Sequence, residues 1–116
     1  MMENGIRVRK DARSVSVTFL SAPMRVAVAE ASCMKAEDGL WFVNRVKVPK
    51  EEQGKGIGAQ IVKKLQEEVA GQGCKVLLLF PGGYGSDPRG LYKFYKKQGF
   101  KPAPRFGLGA LTWEGD

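Results

Sequence analysis

The stretch Val46-Lys47-Val48-Pro49-Lys50-Glu51-Glu52-Gln53-Gly54-Lys55-Gly56-Ile57-Gly58-Ala59 decides how this chain is read. It starts as the end of a strand, Leu40 to Val48, rich in aromatic and β-branched residues, which Pro49 stops. It finishes by entering the clearest helix. Within Gly58 to Ala70, Ile61, Val62, Leu65 and Val69 form one apolar stripe, Lys63, Lys64, Glu67 and Glu68 cover the other side, and Gly71 and Gly73 end the helix. Three glycines at alternate positions, Gly54, Gly56 and Gly58, allow positive φ and close backbone approach. The first N–H groups of a helix have no internal partner, and the helix dipole adds positive partial charge there. Strand, glycine loop and helix together read as an anion site suited to a pyrophosphate. Charge-assisted hydrogen bonds contribute about 1.5–3 kcal/mol each, so a few suffice for micromolar binding. Lys55 adds Coulombic attraction. The bland reading is a glycine-rich turn without a ligand, and three glycines leading into a strongly amphipathic helix weigh against it.

Other phosphate loops fit badly. A P-loop needs GxxxxGK followed by Ser or Thr, and no such string exists. A dinucleotide fingerprint needs GxGxxG after a first strand and an acidic residue after the next. Here the spacing is Gly54-x-Gly56-x-Gly58, and the next strand ends in Phe80-Pro81-Gly82.

Outward from the loop, the pattern predicts strands on both sides. Ile6 to Arg9 is a first candidate strand. Ser14 to Leu20 alternates, with Val15, Val17 and Phe19 on one face, and Met24 to Ser32 alternates again after Ser21-Ala22-Pro23, giving an antiparallel hairpin. Glu37-Asp38-Gly39 is a turn signal. Lys75 to Phe80 is almost continuously apolar and reads as a central strand covered on both faces. Asp87-Pro88 starts a second helix, with Asp87 as N-cap, an apolar face of Leu91, Phe94 and Tyr95, and Gly99 as its end. Phe100 to Ala103 and Leu108 to Glu114 read as two last strands. The order predicts an α+β (mixed α/β) fold, a mixed sheet with helices packed on it.

A chain of 116 residues with 43% hydrophobic and 27% charged residues is expected to form a single domain over 1–116. The net charge of +7 favours an anionic partner: nucleic acid, a polyphosphate cofactor or an acidic protein face. It fits a well-solvated surface equally. There is no histidine, so a zinc site is not expected and Ser-His or Cys-His catalysis within the chain is excluded. Cys33 and Cys74 lack a CxxC pattern and read as small buried hydrophobes in a reducing compartment. No apolar run approaches the roughly 20 residues that span a bilayer, and the first residues lack the form of a signal peptide. A cytoplasmic protein without a membrane partner is expected.

Gln53-x-x-Gly56-x-Gly58 matches the Q/R-x-x-G-x-G/A motif of the GNAT superfamily of N-acetyltransferases. The context agrees: a Val-x-Val-Pro strand end precedes the motif and Gly-Ile-Gly opens the helix. Leu91-Tyr92-Lys93-Phe94-Tyr95-Lys96-Lys97-Gln98-Gly99-Phe100 resembles the superfamily's later lYxxxGF signature. The pair spans residues 40 to 101, about half the chain.

This resemblance implies a mixed, mostly antiparallel sheet with a splayed central strand pair and two main helices. It implies acetyl-CoA as co-substrate and no metal. The strand before the loop would hold the pantetheine arm through its backbone at Val46 and Val48. Backbone N–H groups of Gln53, Gly54, Lys55, Gly56, Ile57, Gly58 and Ala59 would hold the pyrophosphate. Tyr95 matches the tyrosine that often protonates the departing thiolate, a phenol near pKa 10 serving a thiolate of about 8–9. The pattern alone favours Tyr95 as a core aromatic on an amphipathic helix, and its place in the signature reverses that. The reaction implied is direct acyl transfer to a primary amine.

The sequence departs from the family in three places. The glutamate that serves as base in lysine acetyltransferases falls at Phe42, with Asn44 two residues on; Glu30, Glu37, Glu114 or a water relay are the substitutes. The asparagine often found before the second signature is replaced in the region of Ser86, Asp87 and Pro88. The two helices that usually follow the first strand have no counterpart between Arg9 and Ser14. In this the chain resembles very small GNAT proteins of phages and other mobile or bacterial genomes, some of which acetylate host proteins. A shallow, open acceptor site suits a side chain on a macromolecule, such as a protein lysine. A homodimer could supply the missing wall. Two rivals stay open: a non-catalytic acyl-CoA-binding or sensor domain, and a basic nucleic-acid-binding module. The latter lacks any zinc, helix-turn-helix or RNP pattern.

Overall fold

The computed structural model describes residues 5–81 and 88–115. The apolar alternations form one seven-stranded sheet in the order β1-β2-β3-β4-β5-β7-β6. The strands are β1 (Gly5–Lys10), β2 (Ser14–Ser21), β3 (Val26–Glu37), β4 (Leu40–Lys47), β5 (Val76–Leu79), β6 (Lys101–Pro102) and β7 (Leu111–Glu114). The helices are α1 (Ile57–Gly71) and α2 (Pro88–Lys97). All neighbours pair antiparallel except β4 and β5, which are parallel and joined through α1. The fold is thus the expected α+β arrangement.

Strand period explains the core. Val15, Val17 and Phe19 of β2 lie opposite Cys33, Ala31 and Ala29 of β3, and all six are buried. With Trp41, Leu77 and Leu111 they form a continuous apolar face. The stripe of α1 (Ile57, Ile61, Val62, Leu65, Val69) packs on that face. Helix α2 lies on the same side. Its Tyr95 joins the same cluster, and Gln66 Nε2 of α1 donates to the Gln98 carbonyl just past its end at 2.8 Å. Gly99 ends α2 with φ +94 and sits where a Cβ would be 3.2 Å from the Trp113 ring.

Both helices therefore cover one face, and among the described residues no helix covers the other. This corrects the expectation for β5. Leu77 and Leu79 are buried, but Val76 and Leu78 are only half-buried. A nearly continuous apolar run marks a doubly covered strand only when helices lie on both faces, and here the connection after β1 is too short to hold one. Other boundaries move as well. β3 runs on to Glu37, because its pairing with β4 extends to Leu40. The last two strands shrink to β6 and β7, with a 3-10 turn at Pro104–Phe106 between them. Cys33 and Cys74 are buried free thiols, as read. The proposed cap Asp87 lies outside the described residues. None of the described helices is long and apolar enough to cross a membrane.

Candidate functional site

β4 has two halves. In the first, Leu40, Trp41 and Phe42 pair with Val76, Leu77 and Leu78 of β5. The Gly39 carbonyl secures that end by accepting from the N–H groups of Lys75 and Val76, at 2.8 and 2.9 Å. In the second half, Val43 to Lys47 remain on β3 but, among the described residues, have no partner on the β5 side. The cause is local. Cys33 faces Val43 while Ser32 faces Arg45, so Asn44 is an extra residue in a bulge. A bulge increases twist and re-aims the strand. Ser32 Oγ and Asn44 Oδ1, 2.7 Å apart, pin it. On the other side Pro81 follows β5 and lacks an N–H to continue the ladder.

The splay opens a cleft of about 100 Å³. β4 lines it with Val43 to Val46, the end of β5 with Leu79, Phe80 and Pro81, and α2 with Tyr95. Its walls carry residues of both sheet faces. Val43 and Val46 sit with the core side of β3 (Cys33, Ala31), and Arg45 lies opposite Ser32 on the uncovered side.

Tyr95 is 5% exposed and held edge-on between Phe94 (5.1 Å) and Phe100 (5.7 Å). Its hydroxyl has no hydrogen-bond partner among the described residues, and the side chain borders the cleft. Burial pushes the phenol up to about 12. It therefore stays protonated across the physiological range and can only give a proton, never start as a base.

The loop after β4 is built to expose N–H groups. A 3-10 turn, Lys50–Glu52, follows Pro49. The Gln53 N–H donates to the Lys50 carbonyl at 3.2 Å, and its side-chain Nε2 to the Val48 carbonyl at 3.1 Å. Gln53 thus ties the loop to the strand end, and its own N–H is already engaged. Gly54 and Gly56 have φ +84 and +79, left-handed values that cost a side-chain-bearing residue about 1–2 kcal/mol. Gly56 is the N-cap of α1 and offers no side-chain acceptor. The first-turn N–H groups of Ile57, Gly58 and Ala59 thus have neither an intrahelical acceptor nor a side-chain cap. Such a set can hold an anion.

Gly58 works differently from the other two. It is helical, and a Cβ there would come 3.2 Å from Phe94 Cζ and 3.6 Å from Val48 Cγ2. Its smallness lets α1, α2 and the end of β4 meet, and positive φ plays no part. Lys55 is paired with Glu52 at 3.2 Å, so part of its charge is spent inside the loop.

The structure therefore brings Val46, Val48, the glycine loop, the start of α1 and Tyr95 around one end of β4. The candidate bases do not all join them. Glu37 faces Leu40 and Glu114 faces Val76, both at the paired end of the sheet. Glu30 lies nearer the splay, but its carboxylate is held by Arg45 at 2.5 Å. The sequence noted Asn44 only beside the missing base and Phe80-Pro81 only as a strand end, and it did not place them or Arg45 at the site; for Asn44 and Arg45 the reason is that a bulge leaves no periodic signal. The described residues hold no grouping of His, Cys, Asp and Glu that could bind a metal.

The fold is shared with known proteins. A family model described as "Acetyltransferase (GNAT) domain" matches residues 19–102. A GNAT family acetyltransferase from Elizabethkingia anophelis, solved with acetyl-CoA bound, superposes with a TM-score of 0.76 at 12% identity, over 97% of this chain and 98% of that one. A GNAT family acetyltransferase from Staphylococcus aureus gives 0.75 at 12%, over 89% and 68%. Tetrahymena GCN5 gives 0.70 at 17%, over 91% and 71%. No curated protein is similar at a significant level. The structural likenesses establish the fold, and the family match over most of the chain makes it a member of the GNAT acetyltransferase family.

Proposed function

We propose that this protein transfers the acetyl group of acetyl-CoA directly to a primary amine on a protein or another macromolecule. The observation that carries the reading is the coincidence, at one end of β4, of an uncapped helix start behind left-handed glycines and a splayed strand with a neutral tyrosine. The N–H groups of Gly54 to Ala59 hold the pyrophosphate, with Gln53 shaping the loop. The free backbone edge of β4 at Val46, and the N–H of Val48 just past it, guide the pantetheine arm, while Gln53 holds the Val48 carbonyl. The thioester lies in the cleft, where a β4 N–H can stabilise the oxyanion that develops as the amine attacks. The N–C bond forms, the C–S bond breaks, and the thiolate takes the proton of the Tyr95 hydroxyl. The phenolate left behind regains its proton from the amine through water. A water chain takes the amine's proton, since no free carboxylate borders the cleft among the described residues.

That last fact also favours a second reading, an acyl-CoA sensor without turnover. Calorimetric titration of acetyl-CoA into the protein and into Gly56→Trp tests the first reading. Micromolar binding that the variant abolishes supports it, and no binding at near-millimolar acetyl-CoA overturns it. Tyr95→Phe is expected to lower kcat about 10²-fold or more with little change in acetyl-CoA affinity. Binding with no turnover on any amine would leave the sensor.

A further inference from the structure

The uncovered face of the sheet has an ordered charge pattern that the transfer reaction does not by itself require. Cross-strand pairing places residues in two adjacent rows. One row is Arg7, Thr18, Glu30 and Lys47; the next is Arg9, Ser16, Ser32 and Arg45. Each row begins with a cation on β1 and ends with a cation on β4. Arg7, Arg9, Arg45 and Lys47 are exposed, while the residues between them are half-buried. Adjacent strands are about 4.8 Å apart, so the two cation columns stand roughly 14 Å apart. Within a column the spacing is two residues, roughly 6.8 Å. The second column ends at the splay, because Arg45 and Asn44 line the cleft.

We propose, resting on the transferase reading, that this face docks the acceptor, and that the acceptor is an acidic, extended polypeptide segment carrying the target amine. The helix side of the cleft is closed by Tyr95 and borders the glycine loop, so a second substrate reaches a thioester there from the open side. Acidic side chains at alternate positions of an extended segment repeat at about the same 6.8 Å as Arg7 and Arg9. Such a segment lays its carboxylates on the β1 column, and its chain crosses the strip of roughly 14 Å to bring a lysine further along to the cleft. Glu30, the carboxylate of this face nearest the splay, is paired with Arg45, so Arg7, Arg9 and Lys47 are the cations left to an acidic segment. Hydroxyls of Ser16, Thr18 and Ser32 fill the strip between.

The charge pattern also selects among occupants. A second copy docked face to face would oppose four cations to four cations with only Glu30 from each side to relieve them. A nucleic-acid backbone would gain from the cations but would meet Glu30 within the strip. An acidic peptide that brings one amine meets the cation columns without opposing like charge to like.

The test uses the full chain and three fluorescein-labelled peptides of on the order of ten residues, long enough to span the face. Each has one central lysine, flanked by alternating Asp/Ser, by Gln/Ser or by Arg/Ser. Anisotropy titration, alone and with acetyl-CoA, reads docking; mass spectrometry of the peptides reads transfer. The expected result is at least tenfold tighter binding of the acidic peptide than of the basic one, lost at high salt. The double variant Arg7→Glu/Arg9→Glu is expected to abolish that preference, and Arg7→Gln/Arg9→Gln to weaken it. Lys63→Glu, which removes a cation from the helix side, should leave it unchanged. Thermal melts confirm folding, and the glutamine pair serves if the charge reversal unfolds the edge strand. Equal binding of the three peptides, or equal sensitivity to Lys63→Glu, overturns the proposal. So does tighter binding of a duplex or single-stranded oligonucleotide that the β1 variants abolish. Acidic-peptide docking without acetyl-CoA binding would leave the docking face standing and remove the transferase reading; acetyl-CoA binding without an acidic preference would do the reverse.

Discussion

The two faces of one sheet were built to different rules, and β2 shows this most directly. Val15, Val17 and Phe19 point into a dry layer under α1, while their neighbours Ser16 and Thr18 point to a face with no helix. On the covered face apolar burial dominates, contributing about 25 cal/mol per Å², and side-chain identity is dictated by packing. On the open face, hydroxyls and cations make up the rows nearest the splay, and Met34, Phe42 and Leu78 form an incompletely buried apolar row beyond them. The lesson is that this fold needs only one helical layer to stand. The second face is free to carry recognition, and the splay of β4 is where the two meet.

The largest test of that contrast compares neighbouring residues. Val17→Asp buries an unpaired carboxylate in the core and is expected to cost at least about 4 kcal/mol, enough to prevent folding of a marginal domain. Thr18→Asp, one residue away on the open face, is expected to stay within about 0.5 kcal/mol. Urea denaturation of both variants measures this. Comparable losses would mean that the open face is covered in solution.

The second test is alkaline. Cys33, Cys74 and Tyr95 all lie on the covered face, and burial pushes them up to about 12, 11 and 12 respectively. In the unfolded chain the thiols ionise near 9.0 and the phenol near 10.0. Above those values the unfolded state has released protons that the folded state still binds. Stability is therefore full below about pH 9 and falls as pH rises, by about 1.4 kcal/mol per unit for each group. The two thiols alone predict a loss of about 2–3 kcal/mol from pH 9 to 10. Melting curves across that range check it, and Cys33→Ala/Cys74→Ala should flatten the slope. A slope that persists in the double variant would assign it elsewhere.

The division between the faces was partly legible in the sequence. Period-two alternation in β2 names its buried residues directly, and the stripe of α1 names the helical layer. The glycine loop and the second signature placed the Gln53–Gly58 motif and Tyr95 around the strand end that the structure shows. Three things were not legible. The bulge at Asn44, which opens the cleft, depends on a register difference between β3 and β4 that neither strand shows alone. The single helical layer was hidden because Lys75 to Phe80 is apolar at nearly every position, on the open face as well as the covered one. The role of Gly58 was hidden because small size and positive φ ask for the same residue.

That last ambiguity gives the third test. Gly58→Ala keeps a helical backbone, so its cost comes only from the Phe94 ring 3.2 Å from the new Cβ. A loss of about 1 kcal/mol in stability is expected. Because Phe94 adjoins Tyr95, acetyl-CoA affinity should weaken about three- to tenfold. Gly54→Ala leaves packing untouched, since nothing lies within 4 Å of its Cβ position, and strains φ alone. If both variants lost stability but only Gly54→Ala lost affinity, the junction between the covered face and the loop would be mere packing.

The smallest expected effect concerns Lys55. Its ammonium is 3.2 Å from Glu52, and both side chains keep contact with solvent, so the pair itself contributes little to stability. Removing the lysine also leaves Glu52 unpaired beside the proposed pyrophosphate site, which adds repulsion to lost attraction. Lys55→Ala should therefore weaken acetyl-CoA about two- to fivefold, and Lys55→Ala/Glu52→Gln should restore most of that, with the difference shrinking as salt screens the loop. A loss of a hundredfold in the single variant would mean that Lys55 leaves Glu52 and holds the phosphates itself. Binding would then depend on a charge outside the sheet, and the backbone N–H groups at the start of α1 would be the lesser part of the site.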